Sequence, residues 1–263
     1  MTPAIHSVSD ELAQQGFAII PTALPPATVD DLVEGIDGAL KSRASHSTHA
    51  MRHLIEVVPA VRKVAEGATI RALVEAVLGV NALVVRSIFF DKTPEANWKV
   101  AWHQDLTIAV QQKIEVAGFT AWSVKDGVSH VQPPVEVLEQ MLALRLHLDE
   151  CCPGNGPLQV IPGSHKSGRL TAQQISQWRE KHSPHICSVP RGGALMMRPL
   201  LLHSSSPATE PRHRRVVHLE FAASPLPDGL KWLLRACGES HGMVALNARS
   251  ESGEPEVRRL ENG

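Results

Sequence analysis

The 263-residue chain has no tyrosine, and aromatic residues of any kind make up 4% of it. Without tyrosine one common acid, base and radical former is missing, and the 14 histidines become the abundant reactive side chains. Cysteine is scarce as well. Cys151, Cys152, Cys187 and Cys237 form no C-x-x-C pair, and the adjacent two are poorly placed to bond to each other. That excludes a zinc ribbon or a disulfide framework and leaves reduced, structural thiols. No run of about 18 uninterrupted apolar residues occurs, and Met1 to Glu11 lacks a basic start followed by an apolar stretch. The expectation is a cytoplasmic protein with no membrane partner. Charge of one sign is lacking too: 26 Lys and Arg face 27 Asp and Glu, which gives no reason to expect nucleic acid as a partner. Gly154-Asn155-Gly156 does not continue as G-x-G-x-x-G, and there is no G-K-[ST] loop, so a nucleotide-binding enzyme is a poor reading.

What is present falls into two parts. Up to about residue 80 the text is mainly helical, with a helix start at Ser9-Asp10-Glu11-Leu12 and a strand at Phe17 to Ile20. A second helix runs through Val29, Leu32, Val33, Ile36 and Leu40, and a third covers Val58 to Leu78. After Gly79 the runs become short and β-rich: Ala82 to Phe90, Leu142 to Asp149, Leu158 to Ile161, Ala194 to Met197 and Arg214 to Ala222. Pro, Gly, Asn and Ser clusters separate them, as in an antiparallel sandwich or barrel. Short helices are expected after Pro133-Pro134 and over Thr171 to Lys181. The long stretch between Asp105 and Pro133 reads as a loop able to cover a site, and the end from about Gly238 as a polar tail.

A strand puts residues i and i+2 on one face, so His103-Gln104-Asp105 can aim an imidazole and a carboxylate at one point. Two His and one carboxylate leave three adjacent positions open on an octahedral metal, as in non-haem Fe(II) oxygenases. The same spacing recurs in His147-Leu148-Asp149 and His218-Leu219-Glu220, and spacing alone does not choose among the three. His46, His49 and His53 read as surface histidines. On β alternation Arg145 and His147 share a face with Asp149.

Three ordered blocks carry a resemblance: Asp91 to Trp98 continuing to Trp102-His103-Gln104-Asp105; Leu148-Asp149-Glu150 with Gly154 to Leu158; and Ile161-Pro162-Gly163-Ser164-His165-Lys166. Together with Leu201-Leu202-His203-Ser204-Ser205 they resemble the phytanoyl-CoA dioxygenase family of Fe(II)/2-oxoglutarate oxygenases, from about Glu11 to Ala223. The resemblance implies a mainly β fold with surrounding helices, the cupin-like jelly roll or double-stranded β-helix. It implies a single domain over residues 1–263: a helical part to about 80, a jelly-roll core over about 81–225 and a C-terminal extension over about 226–263. It makes His103, Asp105 and His203 the Fe(II) ligands. Arg214, eleven residues after His203, becomes the guanidinium for the distal carboxylate of 2-oxoglutarate. Ser205 and Gln104 are further candidates toward that co-substrate, and His165 reads as a loop residue.

The family pattern has an aromatic residue in some members where this chain has Arg145. A buried arginine needs a partner, and Arg145 is expected to meet a 2-oxoglutarate carboxylate, an acidic substrate group, or Asp149 or Glu220. Phe119 and Trp122, in the long stretch, and His147 are the candidates toward a small-molecule substrate oxidised with O2. Related halogenases lack the carboxylate ligand, so Asp105 argues for hydroxylation. A zinc-binding or non-catalytic cupin-like protein is the other reading of the same ligands.

Overall fold

The computed structural model describes residues 3–42 and 49–234. His46, Cys237 and the polar tail from Gly238 lie outside the described residues. The N-terminal part holds α1 (Pro3–Gln15), β1 (Phe17–Ile20), α2 (Pro26–Ser42), β2 (Ala50–Arg52), α3 (Leu54–Val57), α4 (Pro59–Ala65) and α5 (Ala68–Leu78). The single helix expected over Val58 to Leu78 is two helices. Gly67, with extended backbone at φ −68° and ψ 147°, ends one and leads the next. Among the described residues no helix is long and apolar enough to cross a membrane.

Strands then dominate: β3 (Leu83–Lys92), β4 (Val100–His103), β5 (Ile108–Val110), β6 (Thr120–Lys125), β7 (Val128–Gln132), β8 (Met141–His147) after the short α6 (Val135–Glu139), and β9 (Leu158–Val160). Helix α7 (Ala172–Lys181) follows, opened by a capping box in which Thr171 and Gln174 satisfy each other's backbone N–H groups. The chain closes with β10 (His185–Ile186), β11 (Ala194–Met197), β12 (His203–Ser205) and β13 (Arg214–Ala222). A six-stranded sheet in the order β1-β11-β8-β13-β3-β2 faces a four-stranded sheet, β10-β9-β12-β4, and every pairing is antiparallel. This is the jelly roll.

Strand alternation decides which side chains see the inside. On β8 and β13, Leu142, Leu144, Leu146, Val217, Leu219 and Phe221 pack in one buried cluster with Leu32, Ile36, Ile55, Ile70 and Val74 of the helices. That burial is worth roughly 1.5–3 kcal/mol for each large side chain. Their alternates, Arg145 and His147 on β8 and Arg214, Val216, His218 and Glu220 on β13, take the other face. Pairing of β13 with β3 sets Arg214 opposite Lys92, Val216 opposite Phe90, His218 opposite Ile88 and Glu220 opposite Arg86. The register therefore lines the interior of the roll with charged and polar groups in fixed rows.

The stretch expected to be a covering loop is a three-stranded sheet, β5-β7-β6. Its hairpin turns at Asp126-Gly127, both at positive φ (50° and 76°), as a two-residue loop between right-twisted strands requires. Phe119 is buried in the apolar cluster this sheet forms with Ile108, Val131, Met141, Leu230 and Trp232, and Trp122 packs against the same cluster.

Candidate metal centre

His103 ends β4 and His203 begins β12, and the two are Cα partners across that pairing. Their rings lie 4.2 Å apart, centroid to centroid. Asp105 is held just past β4 by its backbone N–H, which donates to the Pro199 carbonyl at 2.9 Å. Its two carboxylate oxygens stand 3.7 Å from His103 Nε2 and 3.7 Å from His203 Nε2. Potential ligand atoms of the three residues all lie within 4.8 Å of one another, a spacing that one metal ion can span.

The tautomers follow from the backbone. His103 Nδ1 is 2.8 Å from the Ala101 carbonyl, and His203 Nδ1 is 2.9 Å from the Leu201 carbonyl. A carbonyl only accepts, so each Nδ1 carries the proton and each Nε2 keeps its lone pair on the Asp105 side, the usual way a ligating histidine is oriented. Burial pushes His203 down to about 4, so the ring is neutral at ordinary pH. Burial alone would raise the Asp105 carboxyl, but His203, His218, His103 and Arg86 together hold it below the usual range. Two imidazole Nε2 atoms and one carboxylate, opening on a cavity, make a donor set that fits Fe(II) with positions to spare.

That cavity has a volume of about 210 Å³. The three residues form one part of its wall, Ile88, Phe90, Trp98, Val100 and Leu158 an apolar part, and Arg86, Arg145, Ser205, Arg214, His218 and Glu220 a polar part. At one end Arg214 is buried and donates to the Gly156 carbonyl, while its Nε has no partner. Gly156 is needed there. It sits at φ +64°, and a Cβ would come within 2.8 Å of the Ser206 carbonyl oxygen. Ser205 Oγ donates to the same Gly156 carbonyl at 3.1 Å and accepts from Lys92 Nζ at 3.0 Å. Lys92 is 0% exposed, and burial, with the Arg214 charge second, pushes its ammonium down to about 8. Among the described residues no carboxylate pairs with Lys92 or Arg214, so a buried dication there fits a ligand carboxylate.

The sequence-predicted residues separate into groups. His103, Asp105, His203, Ser205, Arg214 and Arg145 all line the cavity. Gln104 faces the other way, because the next residue along a strand points to the opposite side. Its amide nitrogen donates to the Gly168 and Leu200 carbonyls at 2.8 and 2.6 Å, and its oxygen accepts from the Leu170 N–H at 2.8 Å. It ties loops together rather than meeting a co-substrate. Phe119 and Trp122 lie in the packing of the three-stranded sheet and do not line the cavity, nor does His147, which is buried with neither ring nitrogen bonded. Asp149 is taken by Arg215 through bonds of 2.8 and 2.9 Å, and Glu220 by Arg86 at 3.0 Å, so neither is an ion-pair partner of Arg145. Lys92 escaped the sequence reading. Its signal was the alternation Arg86, Ile88, Phe90, Lys92, which carries β3 two residues beyond the apolar run.

The phytanoyl-CoA dioxygenase family model matches residues 12–216. The chain belongs to that family. The phytanoyl-CoA dioxygenase 1 of Oryza sativa subsp. japonica is 24% identical over 209 residues, which is 75% of this chain and 64% of that protein. The chain thus spans less than two thirds of that family member's length. Among solved structures, EctD from S. alaskensis with 2-oxoglutarate and 5-hydroxyectoine superposes with a TM-score of 0.65 at 18% identity, covering 84% of this chain and 76% of that one. SnoK, a non-heme alpha ketoglutarate dependent carbocyclase from nogalamycin biosynthesis, gives 0.64 at 14% identity, covering 84% of each chain. At these identities the likeness establishes the jelly-roll fold of this dioxygenase family member.

Proposed function

We propose that this protein is an Fe(II)- and 2-oxoglutarate-dependent dioxygenase that hydroxylates a small organic molecule with release of succinate and CO2. The observation that carries the reading is the convergence of His103, Asp105 and His203, the last remote in sequence, on one point of a cavity that is also lined by Arg214, which has no carboxylate partner for its guanidinium among the described residues. Family membership and the 2-oxoglutarate held by EctD support it.

In this reading His103, Asp105 and His203 hold Fe(II), and Arg214, with Ser205 and Lys92, receives the distal carboxylate of 2-oxoglutarate. Bound together, the metal and the 2-oxo acid supply the activation of O2. The chain supplies the rest. The Ala101 and Leu201 carbonyls fix both imidazole planes, the Gly156 carbonyl orients the Arg214 fork, and Ile88, Phe90, Trp98 and Val100 keep the reacting carbon in apolar surroundings. Asp105 fills the carboxylate position, which favours oxygen over halide transfer to the substrate.

Anaerobic addition of Fe(II) and then 2-oxoglutarate, followed by visible absorbance, tests the reading. A metal-to-ligand charge-transfer band is expected with the wild-type protein and lost in Asp105→Ala. Zinc binding with no affinity for 2-oxoglutarate would instead identify a zinc-binding cupin.

A further inference from the structure

Resting on that reading, the ionic balance of the cavity speaks to the substrate. Arg86 is neutralised by Glu220 at 3.0 Å. Fe(II), Asp105, both carboxylates of 2-oxoglutarate, Arg214 and the Lys92 ammonium leave one net positive formal charge, so the catalytic set needs no further cation. Arg145 remains. It lines the cavity, and among the described residues no carboxylate forms an ion pair with it. Among the described residues its hydrogen-bonded side-chain partner is His218, whose Nδ1 lies 3.2 Å from Arg145 Nη1.

That contact orients Arg145 without neutralising it. A guanidinium only donates, so His218 Nδ1 is the acceptor, and the ring proton sits on Nε2, 3.3 Å from Glu220 Oε1. His218 is a spacer between Arg145 and an already paired carboxylate. The Phe90 ring, 5.8 Å from the Arg145 guanidinium carbon, pins the other side, and Nε is buried with no hydrogen bond. A buried, oriented and uncompensated guanidinium costs stability unless a ligand supplies the anion.

Arg145 and the co-substrate anchor start from different positions along the sheet, although their two charges act on each other. Arg145 and His218 are cross-strand partners, and His218 is four residues along β13 from Arg214, about 13 Å of strand. Arg145 lines the same cavity as His103, Asp105 and His203. We infer that Arg145 is a second carboxylate seat, beside the metal, and that the primary substrate is a small carboxylic acid whose anionic end it holds while Phe90, Ile88, Trp98 and Val100 receive the carbon chain.

The experiment compares wild type, Arg145→Gln and Arg145→Lys, full-length and anaerobic, with Fe(II). Titration with 2-oxoglutarate is read from the charge-transfer band. The loaded proteins then receive aliphatic and aromatic monocarboxylates of three to ten carbons, or the matching primary amides, and displacement of the band is followed. The expected result is 2-oxoglutarate affinity within about twofold of wild type in both variants, and a band displaced by carboxylates but not by amides. The displacement is lost in Arg145→Gln and partly kept in Arg145→Lys. Arg145→Gln is also expected to melt at a higher temperature than wild type without ligand, since an uncompensated buried charge is removed.

A tenfold or greater loss of affinity for 2-oxoglutarate in Arg145→Gln, about 1.4 kcal/mol, would assign the seat to the near carboxylate of the co-substrate and overturn the substrate assignment. Equal displacement by amides, or none by any acid, also overturns it. Absence of the band in wild type would remove the oxygenase reading itself, and this proposal with it.

Discussion

Two sets of charged groups share β13 and its neighbours, and they are built differently. Arg215 faces outward and is fully paired, donating to Asp149 from its backbone N–H and its guanidinium. Arg86 and Glu220 close a second pair at the edge of the cavity. One residue from Arg215, Arg214 points inward with a backbone carbonyl for its principal partner, and among the described residues no carboxylate bonds the charged group of Arg214, Lys92 or Arg145. A fold that needed these cations only for stability would have matched each with an anion, as it did for Arg215. The difference separates charges that close the protein on itself from charges left open to a ligand.

The sharpest break of that comparison removes the metal carboxylate. Asp105→Ala should abolish 2-oxoglutarate-dependent succinate formation, with unchanged circular dichroism. Persistent turnover would move the metal to another dyad, although His147 and His218 belong to no three-residue metal-binding group among the described residues. Next in size is Arg214→Ala. It should weaken 2-oxoglutarate by roughly 2 to 5 kcal/mol, the usual cost of removing one partner of a buried charged contact, read by the same charge-transfer titration. The paired side gives the converse result. Asp149→Ala should destabilise the fold by about 1–3 kcal/mol in urea melts, since it strands the Arg215 bonds, and leave 2-oxoglutarate affinity where it was. A variant that lost co-substrate binding in proportion to stability would erase the distinction between the two sets.

Strands whose outward face is buried were legible from sequence, because Leu142, Leu144 and Leu146, or Val217, Leu219 and Phe221, alternate with polar residues at the period of a strand. Alternation also told that Arg145 turns away from those leucines. It did not tell which residue waits across the gap. That depends on strand order and register, which brought His218 rather than Asp149 against Arg145 and gave Glu220 to Arg86. The three-stranded sheet was missed for a different reason. β5 has three residues, β6 is mostly exposed, and the one strong signal was the Asp126-Gly127 turn. Phe119 and Trp122 were therefore assigned to a covering loop when they anchor a sheet. The metal ligands were legible as residues in a family-like context, whereas Lys92 was not, since a fully buried lysine runs against composition-based expectation.

The smallest effect belongs to Lys92, and its sign can be worked out. Burial first, and the Arg214 charge second, place the folded-state ammonium at about 8, below its ordinary value of 10.5. Between those values the unfolded chain binds more protons than the folded one, so this residue makes the ligand-free protein gain stability as pH rises through that window. Co-substrate binding responds in the opposite sense. Above pH 8 the lysine is increasingly neutral, and seating a carboxylate beside it requires taking up a proton, so affinity for 2-oxoglutarate should fall as pH rises from 7.5 to 9.5. Lys92→Met removes both slopes. The expected loss at pH 7 is about tenfold or less, because Arg214 stays charged across the range. Binding measured at several pH values in wild type and Lys92→Met checks this: parallel pH profiles would mean that Lys92 only fills space behind Ser205, and that the open set consists of the two arginines alone.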